Sequence, residues 1–111
     1  MPLKVFTIKS DAIGRGDDDL GRALMASFLR LLAEGPGKPA SMVFLNSGVR
    51  LVCEGSLCLE YLKKLEERGV EILACSTCLD YFELTEKQLV GKPTTMAKTI
   101  EAMLGAEVVD V

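Results

Sequence analysis

The chain contains no histidine and no tryptophan, and only 5% of its 111 residues are aromatic. Without imidazole, Ser-His-Asp and Cys-His nucleophile systems, His-containing zinc sites and imidazole acid–base steps are excluded from this chain alone. So sparse an aromatic supply leaves little on which bases or sugars can stack. No apolar run approaches membrane-spanning length, and the opening run Leu3 to Ile8 is too short and too interrupted by lysine for a signal peptide. Cationic charge is not in excess either: 13 Lys and Arg stand against 16 Asp and Glu, a net charge of -3, and the basic residues are scattered rather than striped. Neither nucleic acid nor a membrane is therefore expected as a partner, and a cytoplasmic protein with reduced thiols is expected.

What is present is enough apolar residue for one core, 49% of the chain with 26% charged, which suits a single domain over residues 1–111. The most informative stretch is Ile72-Leu73-Ala74-Cys75-Ser76-Thr77-Cys78-Leu79-Asp80-Tyr81-Phe82. Val70 to Ala74 reads as a strand buried on both faces, and from Cys78 the pattern Leu79, Phe82, Leu84 against Asp80, Glu83, Glu86 reads as a short helix. A Cys-x-x-Cys at a strand-to-helix turn is a candidate reactive site, because unpaired N–H groups and the dipole at a helix start favour thiolate over thiol. The bland alternative is a pair of inert buried thiols.

Strand and helix patterns alternate along the rest of the chain. Leu3 to Ile8 is read as a strand, and 10–16 as the loop leaving it. Asp17-Asp18-Asp19 then cap a helix whose apolar face is expected at Leu20, Ala23, Leu24, Ser27, Phe28, Leu31 and Leu32. Gly14 and Gly16 precede that helix, but three carboxylates and the absence of G-K-[ST] argue against phosphate binding. Met42 to Leu45 is a second strand leaving through Asn46-Ser47-Gly48, and Val49 to Cys53 is taken as an apolar loop bracketed by Gly48 and Gly55. Ser56 caps a helix with Leu57, Cys58, Tyr61, Leu62 and Leu65 inward. Leu89 to Pro93 suggests a short edge strand, Met96, Ile100, Met103 and Leu104 an inward helix face, and Val108-Val109 a last strand. The alternation predicts a parallel sheet with helices on both faces, whose ligand chemistry gathers at the carboxyl ends of the strands. Three polar loops meet there, placing Arg15, Gly16, Asn46, Ser47, Gly48, Ser76 and Thr77 around Cys75 and Cys78.

The order C-x4-C, sixteen residues, C-x2-C comes close to a four-cysteine zinc spacing. The flanks oppose it, since Cys58 falls on an amphipathic helix face and Cys75 follows a buried strand, so no metal is expected. Disulfide exchange is better placed, with Asp80 as the one nearby carboxylate.

Gly14-Arg15-Gly16-Asp17-Asp18-Asp19-Leu20-Gly21, Phe44-Leu45-Asn46-Ser47-Gly48-Val49, and Gly69 to Cys75 with Cys78-Leu79-Asp80-Tyr81-Phe82 together make the chain resemble the DsrE-like domain of the YedF group. That group is described as sulfurtransferase-like selenium metabolism proteins. Nearly the whole chain is covered, with departures at Ser76, Glu83 and Thr95, where the group usually has Gly, Gly and Asn. The resemblance implies a flavodoxin-like three-layer α/β sandwich with a mostly parallel sheet of about five strands, which tends to oligomerise. It also implies a sulfur relay in which Cys75 carries a persulfide between proteins and Cys78 resolves or shares the load. No cofactor is implied. Full-length members carry a TusA-like half with a Cys-Pro motif; none occurs here, so the expected sulfur donor is a separate molecule. The leading expectation is a small carrier of sulfur or selenium. The readings left open are a non-catalytic oligomerising module and a Cys-x-x-Cys redox protein.

Overall fold

The computed structural model describes residues 3–111. Its elements alternate as β1 (Lys4–Ile8), α1 (Asp18–Glu34), β2 (Ser41–Phe44), α2 (Leu59–Glu67), β3 (Glu71–Cys75), α3 (Ser76–Tyr81), β4 (Lys92–Thr94), α4 (Met96–Leu104) and β5 (Glu107–Asp110). Five strands form one sheet in the order β4-β3-β2-β1-β5, and every pairing is parallel. Parallel neighbours need crossovers, which the helices supply. α1, α2 and α3 contribute Met25, Leu29, Leu62, Leu65 and Leu79 to a core on one sheet face, against Ile8, Met42, Phe44 and Ile72. The other face is thinner: Val5, Val43 and Leu73 pack against Ala102 and Ala106 at and just beyond α4. The result is the expected three-layer α/β sandwich. Among the described residues no helix is long and apolar enough to cross a membrane.

Two helix starts follow the sequence, but Ser56 does not cap α2: the N-cap is Cys58 with no side-chain cap, and Ser56 Oγ accepts the Cys58 N–H at 3.0 Å. Asp17 Oδ1 accepts the N–H of Leu20 at 2.8 Å, with Asp18 and Asp19 in the first turn, and Thr95 caps α4 by accepting from Lys98. Helix faces do not follow the sequence. α1 buries Gly21, Met25, Leu29 and Ala33, while Leu20, Leu24 and Leu31 are 59%, 46% and 57% exposed. The reason is close approach: a Cβ on Gly21 would sit 2.8 Å from Ala12 Cβ, so the small residue is what lets the helix meet its preceding loop. α4 likewise turns Thr99 inward and leaves Met96, Ile100 and Leu104 exposed. On the sheet side its neighbours are alanines, whose small side chains allow the helix to lie near Val43 and Leu73.

Three further expectations are corrected. Val49 to Cys53 is not an apolar loop; Asn46–Val52 forms a 3-10 helix that buries Val49, Leu51 and Val52, with Cys53 buried after it. Leu57 does not face inward but is 94% exposed, because α2 begins only at Leu59. The edge strand is Lys92–Thr94 rather than Leu89 to Pro93, and Pro93 lies within it opposite Ala74. An edge position tolerates a residue that lacks an N–H.

Candidate functional site

Cys75 ends β3 and occupies the N-cap position of α3, and Cys78 is the third residue of that helix. Cys75 is buried at 5% exposure while Cys78 is half-buried; both are free thiols. One turn of helix places Cys78 near Cys75. α3 has only six residues, so local N–H groups matter here more than a macrodipole.

The loop after β2 completes the site. Asn46 adopts φ +52°, a left-handed conformation that Asn tolerates better than most residues, and its backbone N–H donates to Cys78 Sγ at 3.1 Å. Ser47 Oγ accepts the N–H of Asp11 at 3.2 Å, which ties the loop after β1 to the loop after β2. Gly48 lies against the Ile8 carbonyl and the Ser10 N–H, where no larger residue fits. The three loops therefore do converge at the carboxyl ends of β1, β2 and β3. Ser76 and Thr77 are exposed at the start of α3. Arg15 and Gly16 are exposed in the loop before α1, and among the described residues no hydrogen bond joins them to the cysteine turn.

Burial pushes the Cys53 and Cys58 thiols up, which suits inert core groups; Cys53 Sγ donates to the Val49 carbonyl at 3.2 Å. Cys78 is also pushed up, first by burial and then by its hydrogen bond and charge interaction with Cys75, against the lowering effect of the Asn46 N–H. The carboxylates of Asp80 and Glu83, close in the sequence, are not among the causes. Removing Cys75 deletes two influences that hold the Cys78 proton in place. In Cys75→Ala, the pH profile for alkylation of Cys78 is therefore expected to move to lower pH, giving faster alkylation at a fixed neutral pH. An unchanged profile would show that burial alone sets the Cys78 proton affinity.

The sequence marks Phe82 as an apolar helix position but does not pair it with Arg50. The Arg50 guanidinium lies 4.7 Å from the Phe82 ring centroid, a cation–π contact that joins the 3-10 helix to the end of α3. Thirty-two residues separate the two, and no local pattern signals the pair. Among the described residues no group of three or more Cys, Asp or Glu side chains is placed to hold a metal ion.

A parallel α/β sheet with a free dithiol at the carboxyl end of an inner strand defines a thiol-bearing α/β domain. Residues 11–109 match the model of the DsrE/DsrF-like family, and the chain belongs to that family. Its fold is similar to the ychN protein from E. coli at 16% identity, with both chains covered in full and a TM-score of 0.77. It is also similar to MTH1491 from Methanobacterium thermoautotrophicum, a protein of unknown function, at 21% identity over the whole of both chains and a TM-score of 0.70. BT1422 from Bacteroides thetaiotaomicron aligns at 16% identity over 97% of this chain and 94% of its own, with a TM-score of 0.62. None of the curated protein sequences matches this chain.

Proposed function

We propose that this chain is a small sulfur carrier that accepts a sulfane sulfur on Cys75 and passes it to a partner protein. Membership of a family generally related to sulfur relay supports the class of chemistry. The observation that carries the reading is the unequal pairing of the two thiols. In the loading step the Cys75 thiolate attacks the terminal sulfur of a donor persulfide; the new S–S bond forms on Cys75 as the donor S–S bond breaks, and the donor leaves as its thiolate. A Cys78 thiolate would then attack the inner Cys75 sulfur, form a disulfide and expel hydrosulfide. Burial and Cys75 itself keep Cys78 protonated, which suppresses that loss. This balance favours a carrier over a dithiol redox protein, whose resolving cysteine must attack readily.

The resemblance to the YedF group extends the cargo to selenium. Donor and acceptor are read as separate proteins, and the free thiols such a relay requires fit the cytoplasmic setting expected from the sequence. Incubation with a persulfide donor, followed by intact mass with and without reductant, tests the reading. A reductant-labile gain of one sulfur atom is expected; recovery of only an intramolecular disulfide would favour the redox alternative.

Self-association belongs to the same proposal, and its surface is placed on α1. Val49, Leu51, Val52 and Cys53 are buried, whereas Leu20, Leu24 and Leu31 form an exposed apolar stripe along α1. A second copy is proposed as the cover for that stripe. Sedimentation is expected to show an oligomer at micromolar concentration, and Leu24→Glu to shift it to monomer. A monomeric wild type would remove this part of the proposal.

A further inference from the structure

Beside the cysteine turn, and separate from it, lies a cavity of about 510 Å³ bounded by the 3-10 helix, the residues leading into α2, and the chain following α3. Neither Cys75 nor Cys78 lines it. The volume lies within the roughly 300–1,000 Å³ range of small-molecule sites and is larger than one amino acid needs. Its walls are apolar at Leu51, Phe82 and Leu84, and Leu57 lines it while being 94% exposed, an apolar side chain with nothing over it.

Charges of both signs ring that apolar wall. Arg50 lies over Phe82 in its cation–π contact and lines the cavity, and among the described residues it is in no ion pair. Asp11 and Glu54 line the same cavity, and among the described residues neither carboxylate is in an ion pair, with Arg50 or with any other cation. The fourth charged group, Arg22, is already bound to Asp19 at 2.7 Å. An anion alone would meet two unpaired carboxylates, and a cation alone would meet Arg50. A ligand that carries one charge of each sign on an apolar body satisfies both.

We propose that this cavity binds a small zwitterion of two- or three-residue peptide size, its carboxylate on Arg50, its ammonium on Glu54 and Asp11, and its apolar side chains on Leu51, Leu57 and Phe82. The site is independent of the sulfur chemistry, so the failure of one leaves the other standing.

Calorimetric titration of the full chain with leucyl-leucine tests it, alongside the N-acetylated and C-amidated forms, each lacking one charge. Saturable binding is expected for the free dipeptide, and each blocked form is expected to bind at least about tenfold more weakly, since charge-assisted hydrogen bonds are lost. Arg50 and Glu54 are both exposed, so Arg50→Gln and Glu54→Gln are expected to fold. Arg50→Gln should weaken the free dipeptide by about the same factor as amidation and should no longer distinguish acid from amide. Glu54→Gln should reduce the penalty for acetylation. Absence of saturation at millimolar dipeptide, equal affinity for blocked and free forms, or an amidation penalty that survives in Arg50→Gln would each overturn the proposal.

Discussion

Cys75→Ala is expected to abolish sulfur loading, while Cys78→Ala keeps at least part of it. The two cysteines differ in what surrounds them rather than in type. Cys75 ends a buried strand at the N-cap of α3 and is 5% exposed, so a sulfur carried there is shielded. Burial raises the Cys78 thiol, and that cause remains when Cys75 is replaced. With a persulfide donor in excess, the initial rate of mass gain in Cys75→Ala should fall at least about tenfold, some 1.4 kcal/mol of barrier. In Cys78→Ala the loading step retains its nucleophile, and the persulfide, once formed, should persist longer because the thiol that would expel hydrosulfide is gone. If Cys75→Ala loads at the wild-type rate, the carrier position is Cys78 and the roles proposed here are reversed.

Gly48→Ala is expected to cost at least about 3 kcal/mol of stability and to loosen the site with it. A Cβ at this position would run into the Ile8 carbonyl and come within 3.4 Å of the Ser10 N atom, so the obstruction is backbone on both sides. Overpacking that a side-chain rotation can relieve costs about 1–3 kcal/mol; here a strand end or a loop must move instead. Movement there carries Asn46 and Ser47 with it, which are two and one residues away and hold Cys78 and Asp11 through hydrogen bonds. Gly55→Ala is the control. Its φ of +93° makes alanine unfavourable, but nothing lies within 4 Å of the added carbon, so a cost of about 1 kcal/mol is expected from conformation alone. Denaturant titration of both variants separates the two effects. Equal destabilisation would mean that the approach of Gly48 to β1 is not what holds the loops together.

Much of the site was legible in the sequence because it is assembled from local signals. A run of apolar residues entering Cys-x-x-Cys and then a helical pattern specifies a strand, a turn and a helix within about a dozen residues, and the structure has them in that order. The Asn-Ser-Gly turn was legible for the same reason, although its contribution came from an unexpected group. The Asn46 backbone N–H reaches Cys78, and the Ser47 hydroxyl braces a neighbouring loop rather than facing the thiols. Arg15 and Gly16 share the right end of the sheet but not the contacts, since a loop composition indicates where chain reverses and not how far it stands from its neighbours.

The sequence by itself determined the alternation of elements, hence the parallel sheet, and the caps at Asp17 and Thr95, because periodicity and capping act over a few residues. Only the tertiary structure decided which face of each helix is buried. In α1 and α4 small or weakly apolar residues, Gly21, Ala33, Thr99 and Ala102, lie inward or against the sheet while leucines, a methionine and an isoleucine lie outward. Hydrophobicity ranks side chains one at a time, whereas packing selects the face that permits the closest approach of backbones. The same holds for Pro93 within β4, for the burial of Val49, Leu51, Val52 and Cys53, and for the Asn46 to Cys78 and Arg50 to Phe82 contacts. Each joins residues about thirty apart or depends on a neighbour from another element, and no local pattern carries that information.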